Sequence, residues 1–486
     1  MEGSNTTATV ASIVAVAVAV LLWAASRANQ WWYAAATAVP VGLRLPPGSM
    51  GWPFIGNMLY FVRHFNRDPE AYFRHQFLSR SEGSDNEIYK AHLFGSPCIV
   101  TCSPDMNKFV LGSQMDGIGF TSGWPSVDVI GPSCMVAVEG IQHKRMRRLI
   151  TEAVSHPLAL RKALLRLEKR ISNTLAQWAK DKDIILKDRL KEVTFEDICD
   201  AFLSISSGPL LKRMMHLTEG VVGGVRAYPI NVPGFSYYNA LKSRKSLIEI
   251  MTSIIESRRS AGTKAEDEDF LDVLLKTKDE EGNHLTHAEI CDNIVSFLLA
   301  GHESTSVFVL WTMIFLNKSP KVLSKLKLEH ETLKSESNGA WFENLKKTPY
   351  TDYVLNEVLR IVSISPIVFR TVAGDGVNYK GYYFPKGWKV VAWLRASHWN
   401  PTLFMDPYTF NPERFLEQPP KLGQYMPFGH GPRLCPGNML ALLSARMFVH
   451  ILVTKYKWKL VNPNAKVAYL PHPKPVDGGK VVFELL

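Results

Sequence analysis

Cysteine is scarce in this chain. Only Cys98, Cys102, Cys134, Cys199, Cys291 and Cys435 occur among 486 residues, and no two form a Cys-x-x-Cys pair. That scatter argues against a disulfide framework and for reduced thiols facing the cytosol. A zinc site at Cys435 has no second ligand at the usual spacing. The glycine fingerprint of a dinucleotide fold is missing, and so is a phosphate-binding P-loop, so no nucleotide site of the chain's own is evident. No internal repeat and no nucleic-acid motif occurs either. The formal charge of +11 therefore points to an anionic membrane or an acidic protein partner, with no nucleic acid among the expected partners.

Apolar residues are plentiful at 46%, with 21% charged, which is enough for a sizeable core. The first fifty residues differ from the rest. Ala8 to Ala25 carries no charge, and about 18 helical residues span about 27 Å, just enough for a bilayer core. Glu2 precedes the run, and Arg27 and Arg44 follow it, which puts the body on the cytosolic side. Trp31, Trp32 and Tyr33 suit an interface. A cleaved signal peptide is the alternative, but the leading segment is acidic rather than basic. The sequon Asn5-Thr6-Thr7 would face the lumen. Leu45-Pro46-Pro47-Gly48, then Trp52-Pro53 and Gly56, read as a stiff hinge, because proline fixes φ and removes donors. The expected organisation is a lumenal tip and transmembrane anchor over 1–26, an interfacial segment and hinge over 27–56, and one large body over 57–486.

Helical patterns dominate that body. Leu164, Leu167, Ile171, Leu175 and Trp178 recur at three- and four-residue steps, with Ser155 as a cap and Pro157 in the first turn. Residues 183–206, 240–259, 268–277, 287–316, 320–334 and 350–362 also read as helices. Strand signals are fewer. "IYKAHLFGSPCIVTC" predicts a hairpin turning at Gly95-Ser96-Pro97, "VNYKGYYFPKGWKVVAWL" a strand pair, and "KVVFELL" a closing strand. The stretches 258–268 and 335–348 read as loops. The expected class is mainly α with small β-sheets.

One helix has an unusual centre. Cys291 to Leu316 is strongly apolar in both halves, and as one helix it would be about 39 Å long. Its middle is Gly301-His302-Glu303-Ser304-Thr305-Ser306. A second membrane span is one reading, but an acid and a histidine at the midpoint would be costly there. A buried helix with a functional centre is the other. Gly301 permits close approach of a flat ligand. Ser and Thr can divert i−4 carbonyls and open the helix locally. Glu303 beside Ser304 makes an acid–alcohol pair able to relay protons into a dry pocket.

Two further patterns stand downstream. Glu357 and Arg360 share a helix face, which in most proteins is a surface ion pair; Arg414 could join them in a buried, fully paired cluster. Pro427 to Gly437, "PFGHGPRLCPG", wraps Cys435 in turn-forming residues. A plain buried cysteine is one reading of it. A thiolate ligand for haem iron is the other. Glycine turns can aim backbone N–H groups at an anionic sulfur, and Gly437 can open a helix whose N-terminus favours negative charge. Arg433 could meet a haem propionate.

Phe428-Gly429-x-Gly431-x-Arg433-x-Cys435-x-Gly437 resembles the haem-thiolate signature of the cytochrome P450 superfamily. Glu357-x-x-Arg360 with Arg414 resembles the family's structural triad, and Ala300-Gly301-His302-Glu303-Ser304 its oxygen-activating helix. The anchor and Pro-Pro-Gly hinge are similar to microsomal members. Two positions depart from the family pattern. Ser304 stands where threonine is usual; it keeps the hydroxyl but loses the methyl that stiffens χ1. Proton delivery is then expected to survive with more leakage of reduced oxygen, and Thr305 could share the task. His143 stands where the basic helix usually has tryptophan. A solvated basic face is the plain reading of "HKRMRR".

The resemblance implies an NADPH- and O2-dependent monooxygenase (an oxidoreductase) carrying haem b on Cys435, the metal ligand. It implies haem contacts from Arg433, His143, Lys144, Arg147, Arg370, Phe428 and Gly437, and catalytic roles for Glu303, Ser304 and Thr305. A substrate pocket is expected from Phe120, Trp124, Ile130, Phe297, Ala300, Gly301, Ile367, Val368 and Leu470, mostly apolar and suited to a bulky hydrocarbon skeleton. The implied partner is an NADPH–cytochrome P450 reductase, with Arg145 and Arg148 as docking charges. The implied place is the endoplasmic reticulum membrane, single-pass, catalytic body cytosolic. Finer resemblance, in "GWPFIGN", "LLAGHESTS" and "YLPHPKP", is to the plant group oxidising diterpenoids, triterpenoids and steroids. It implies ent-kaurenoic acid, oxidised in successive steps toward gibberellins. A triterpenoid or steroid substrate stays open, as does a different class: a non-catalytic haem-binding membrane protein or a haem-thiolate isomerase.

Overall fold

A computed structural model describes residues 2–72, 87–115, 118–124, 126–225, 227–261, 268–336, 344–345, 347–470 and 472–486. The loops expected at 258–268 and 335–348 fall largely outside those residues. The chain packs as two compact units, Met1–Gly123 with Ile367–Ala396, and Trp124–Pro366 with Ser397–Leu486.

The first unit begins with helix α1, Glu2–Ala36, which runs past the expected end of the anchor. Over Ile13–Ala36 it is apolar enough to cross a membrane, and none of its most apolar stretch is buried in the protein. Its end is tied to the hinge, where Asn29 Nδ2 donates to Trp52 O at 2.5 Å. The hinge in turn hugs a strand. Lys90 N donates to Pro47 O at 2.7 Å, and a Cβ on Gly48 would lie 2.2 Å from Lys90 O, so no other residue fits there. Helices α2, Met58–Arg67, and α3, Pro104–Gly112, follow.

This unit's sheet orders its strands 88–93, 96–101, 389–393, 367–372, 118–122 and 114–115. The first hairpin turns at Phe94-Gly95, both at positive φ, one residue earlier than expected. Two such residues are what a tight primed turn needs, and Ser96-Pro97 already belong to the second strand. The expected strand pair after Val377 divides. Residues 377–379 and 382–384 form their own hairpin on Lys380-Gly381, while 389–393 joins the large sheet.

The second unit is helical: α4 Gly140–Val154, α5 Pro157–Asp181, α6 Leu186–Leu203, α7 Pro209–Val225, α8 Ser236–Ala261, α9 Phe270–Lys276, α10 His287–Lys318, α11 Pro320–Glu336, α12 Pro349–Val362 and α13 Asn438–Lys455. Ser155 does not cap α5. Its hydroxyl donates back to Thr151 O at the end of α4, and His156 holds the capping position before Pro157. The closing strand 480–485 lies between 456–460 and 183–185.

Helix α10 is interior rather than a second span. Of its most apolar stretch 56% is buried, and Ile290, Ile294, Phe308 and Met313 all lie in the core. Thr286 and Glu289 cap its start reciprocally, satisfying two donors that would otherwise be orphaned.

Candidate active site

Cys435 is held in a loop that glycine makes possible. Gly429 and Gly431 take φ of 81° and 72°, a region closed to most side chains. The Cys435 N–H donates to Phe428 O at 3.0 Å and closes the turn. Gly437 then opens helix α13. Burial pushes the Cys435 thiol pKa up, while the Gly437 N–H and the Arg147 charge pull it down.

Two arginines brace this loop. Arg147, from α4, donates to Leu434 O. Arg433 donates to Met135 O, Val136 O and Val138 O at 3.2, 3.1 and 2.6 Å. Three carbonyl partners thus hold its guanidinium. His143 is buried on α4, and Lys144 beside it is exposed. A cleft of about 540 Å³ is lined by His143, Lys144, Arg147, Arg148 and Pro432. The two arginines expected to dock a partner are engaged at home. Arg145 meets Asp279 at 2.5 Å and Glu289 at 3.3 Å, and Arg148 meets Glu280. Docking through them would have to compete with these ion pairs.

On α10, hydroxyls address the carbonyls as the sequence suggests. Ser304 Oγ donates to Ala300 O at 2.6 Å, and Ser306 Oγ to Glu303 O at 2.8 Å. Thr194 of α6 adds a hydrogen bond of 2.8 Å to His302 O. Glu303, Ser304 and Thr305 are half-buried, whereas His302 is buried. Desolvation keeps His302 below the ordinary imidazole range. Its ring packs edge-on to Phe195 and its Nδ1 bonds Leu298 O at 2.6 Å. Gly301 serves a close approach of a different kind from the one expected: a Cβ there would lie 2.0 Å from Ile198 Cδ1 of α6.

Sequence reasoning missed one partner here. His472 Nε2 lies 3.8 Å from Glu303 Oε2. Its only sequence trace is a histidine between two prolines, far from the acid along the chain.

Glu357, Arg360 and Arg414 come together. Arg360 grips the carboxylate through two bonds of 2.7 and 2.9 Å, and Arg414 Nε adds one of 3.0 Å. The pair at 357 and 360 is fully buried, not a surface ion pair. The Asn411 N–H also donates to Glu357, at 3.0 Å. The remaining guanidinium donors reach His398 O, Met405 O, Asp406 O and Thr409 O, so the cluster is satisfied around its rim.

The expected pocket residues divide between the units. In the first, Phe120 is 1% exposed and packs edge-on to Phe109 and Phe384, as a core ring. Ile367 and Val368 are half-buried, and Arg370 is buried, donating to Phe369 O at 2.8 Å. In the second, Ile130 is buried, Phe297 packs at a tilt against Phe202, Trp124 and Ala300 are exposed, and Gly301 and Leu470 are half-buried.

The comparisons with known proteins agree with one another. A family model described as Cytochrome P450 matches residues 46–474. The chain is 38% identical over 468 residues to ent-kaurenoic acid oxidase 1 of Arabidopsis thaliana, covering 94% of each. It is 35% identical over 467 residues to the beta-amyrin 11-oxidase of Glycyrrhiza uralensis, covering 92% of each. Among solved structures, retinoic acid-bound cyanobacterial CYP120A1 superposes with a TM-score of 0.81 at 26% identity, covering 91% of this chain and 100% of that one.

Members of such a family carry haem b and draw on NADPH and O2 through a reductase. The residues here fit that group. A Cβ built on Gly429 or on Gly437 meets no atom within 4 Å, which leaves room for a flat ring over the loop. Phe428, Met439 and Leu440 are half-buried apolar neighbours in sequence. The single thiol has an N–H donor and a guanidinium charge near it, which suits an ionised sulfur ligand. With the match running from the proline hinge to the last short hairpin, the chain belongs to the cytochrome P450 family.

Proposed function

We propose that this oxidoreductase is a membrane-anchored monooxygenase that oxidises a bulky apolar terpenoid, with ent-kaurenoic acid, taken through successive steps, as its substrate. The observation that carries the reading is the half-buried Glu303-Ser304 pair at the centre of a buried helix, in a chain with a thiol loop fit for haem. Bound haem would activate O2, with electrons drawn from NADPH through a reductase, for the oxidation that a C–H bond requires.

The chain's own residues do the rest. Cys435 gives the sulfur ligand, and Phe428 and Gly437 flank it. Arg433, His143, Lys144 and Arg147 are assigned to the haem's anionic edge. Glu303 accepts protons from solvent and passes them by way of Ser304, with Thr305 as a second hydroxyl. Glu357, Arg360 and Arg414 hold α12 against the segment before the thiol loop. Phe297, Gly301 and Leu470 are assigned to exclude water from the reacting carbon.

The substrate class comes from relatives. The Arabidopsis thaliana relative is an ent-kaurenoic acid oxidase at 38% identity. A triterpenoid is the second reading, because the Glycyrrhiza uralensis relative, a beta-amyrin 11-oxidase, is 35% identical over a similar length. The exposed apolar helix α1 supports a single anchor, assigned to the endoplasmic reticulum membrane, and Arg27 and Arg44 beyond its apolar run support a body on the cytosolic side.

Microsomes carrying the protein and a reductase, given NADPH and a panel of ent-kaurenoic acid, sterols and triterpenoids, test this. Oxidised ent-kaurenoic acid is expected. A product from another member of the panel, and none from ent-kaurenoic acid, overturns the substrate. Product formation without NADPH and O2 consumption would point to an isomerase instead.

A further inference from the structure

We infer that His472 is a positioning residue for Glu303, holding the acid of α10 by charge and setting the pH range over which it serves. The inference rests on the reading of Glu303 as a proton relay.

Three contacts build the arrangement. His472 sits at the turn between the short strands 467–468 and 474–475. Its Nδ1 lies 2.9 Å from Ile364 O, just beyond the end of α12. The next residue, Pro473, accepts from Trp311 Nε1 of α10 at 2.8 Å. The turn is thus fastened to α12 and α10 on either side of the imidazole. A carbonyl only accepts, so Nδ1 must carry its proton, and Nε2 is the nitrogen left to titrate. That nitrogen faces Glu303 Oε2 at 3.8 Å, which is ion-pair range and longer than a hydrogen bond. A small torsion of the Glu303 side chain closes or opens the bond.

Among the described residues, no other cationic group stands within ion-pair reach of this carboxylate. Lys191 and Glu219 bear on the same helical turn through His302, but they pair with each other at 2.8 Å. His302 itself is turned to Leu298 O and Phe195. Side-chain exposures of 19% for His472 and 18% for Glu303 leave both in reach of solvent protons. When Nε2 is protonated the carboxylate is drawn toward His472, and when it is neutral Glu303 is free to swing to the hydroxyls of α10.

Two substitutions separate the two nitrogens. H472N keeps a donor near Nδ1 for Ile364 O but removes Nε2. H472Q keeps a neutral donor near Nε2. In the holoprotein, with haem retained, H472N is expected to flatten the acid limb of its pH profile, forming severalfold more product per NADPH than the wild type at the acid end. H472Q, which carries no charge, is expected to flatten that limb equally. Adding H472N to E303Q should change nothing further. A wild-type acid limb in H472N, or in the uncharged H472Q, would overturn the inference. A second readout needs no turnover: carbon-13 NMR of labelled histidine in the reduced carbon monoxide form. His472 should titrate a few tenths of a pH unit lower in E303Q, about the shift a partly exposed ion pair gives. An unchanged titration also overturns it. If the wild type consumes no NADPH with any terpenoid, the monooxygenase reading fails while this NMR arm still reports on the pair.

Discussion

Arg414 reaches back along the chain to place its Nε 3.0 Å from Glu357 Oε1, on a carboxylate already gripped twice by Arg360. Glu357 is fully buried, and Arg414 nearly so. One acid is therefore shared by two desolvated cations, and four backbone carbonyls take up other guanidinium donors. Removing the acid strands both charges. E357A is expected to cost about 3–5 kcal/mol, as breaking buried ion pairs does. Denaturant unfolding measures it, and loss of haem retention should accompany it. R414K keeps the charge but not the fork, so it should fall between wild type and E357A.

Glu303 and Ser304 are expected to separate chemistry from binding. E303Q should bind substrate with the wild-type spectral shift and retain haem, while turnover falls by about a hundredfold or more, the usual share of general acid–base catalysis. S304A loses the hydroxyl that now donates to Ala300 O. It should raise peroxide released per NADPH more than it lowers NADPH consumption. Product and peroxide assays run in parallel distinguish the two.

The buried histidines His330 and His450 predict acid sensitivity. Thr351 Oγ1 donates to Glu329 Oε2 at 2.5 Å, so it must accept from His330 Nε2–H, at 3.0 Å. His330 Nδ1 is then a lone pair that accepts from His450 Nδ1–H at 3.2 Å. Burial pushes His330 down to about 3, with His450 adding to it, and pushes His450 down to about 4. Unfolded histidine binds its proton near pH 6.5, so between there and pH 4 the unfolded state holds more protons than the folded one. Stability should fall as pH falls through that window, by about 2 kcal/mol per histidine from pH 7 to 5. Urea midpoints across that range check it; H450L should flatten the slope.

Much of this was legible. The helices at 157–181, 287–318 and 349–362 follow from apolar residues at three- and four-residue steps, and the thiol loop from its glycine order. What stayed hidden depended on contacts remote in sequence. Helix α7, Pro209–Val225, was invisible because Gly220, Gly223 and Gly224 lower its propensity. The structure gives a reason for two of them: a Cβ on Gly224 would lie 2.1 Å from Ala240 Cβ of α8, and one on Gly220 2.4 Å from Ser243 Oγ. His472 was hidden for the same reason, since its meaning lies in Glu303 and Ile364. The burial of Glu357 and Arg360 could not be read either, because spacing on a helix face is the same at a surface as in a core.

Those glycines yield a further expectation. G224A should destabilise by about 1–3 kcal/mol through overpacking against α8, although alanine favours a helix by about 1 kcal/mol. G223A, whose Cβ would meet nothing within 4 Å, should be neutral or stabilising. Paired thermal melts of the two variants decide it.

Haem held through the sulfur of Cys435 is the claim on which every role above depends. The reduced protein under carbon monoxide measures it directly. The wild type is expected to show the strongly red-shifted absorption band of a thiolate-ligated haem, and C435A, folded and supplied with haem, to lose it. The same band in both, or none in the well-folded wild type, would contradict it.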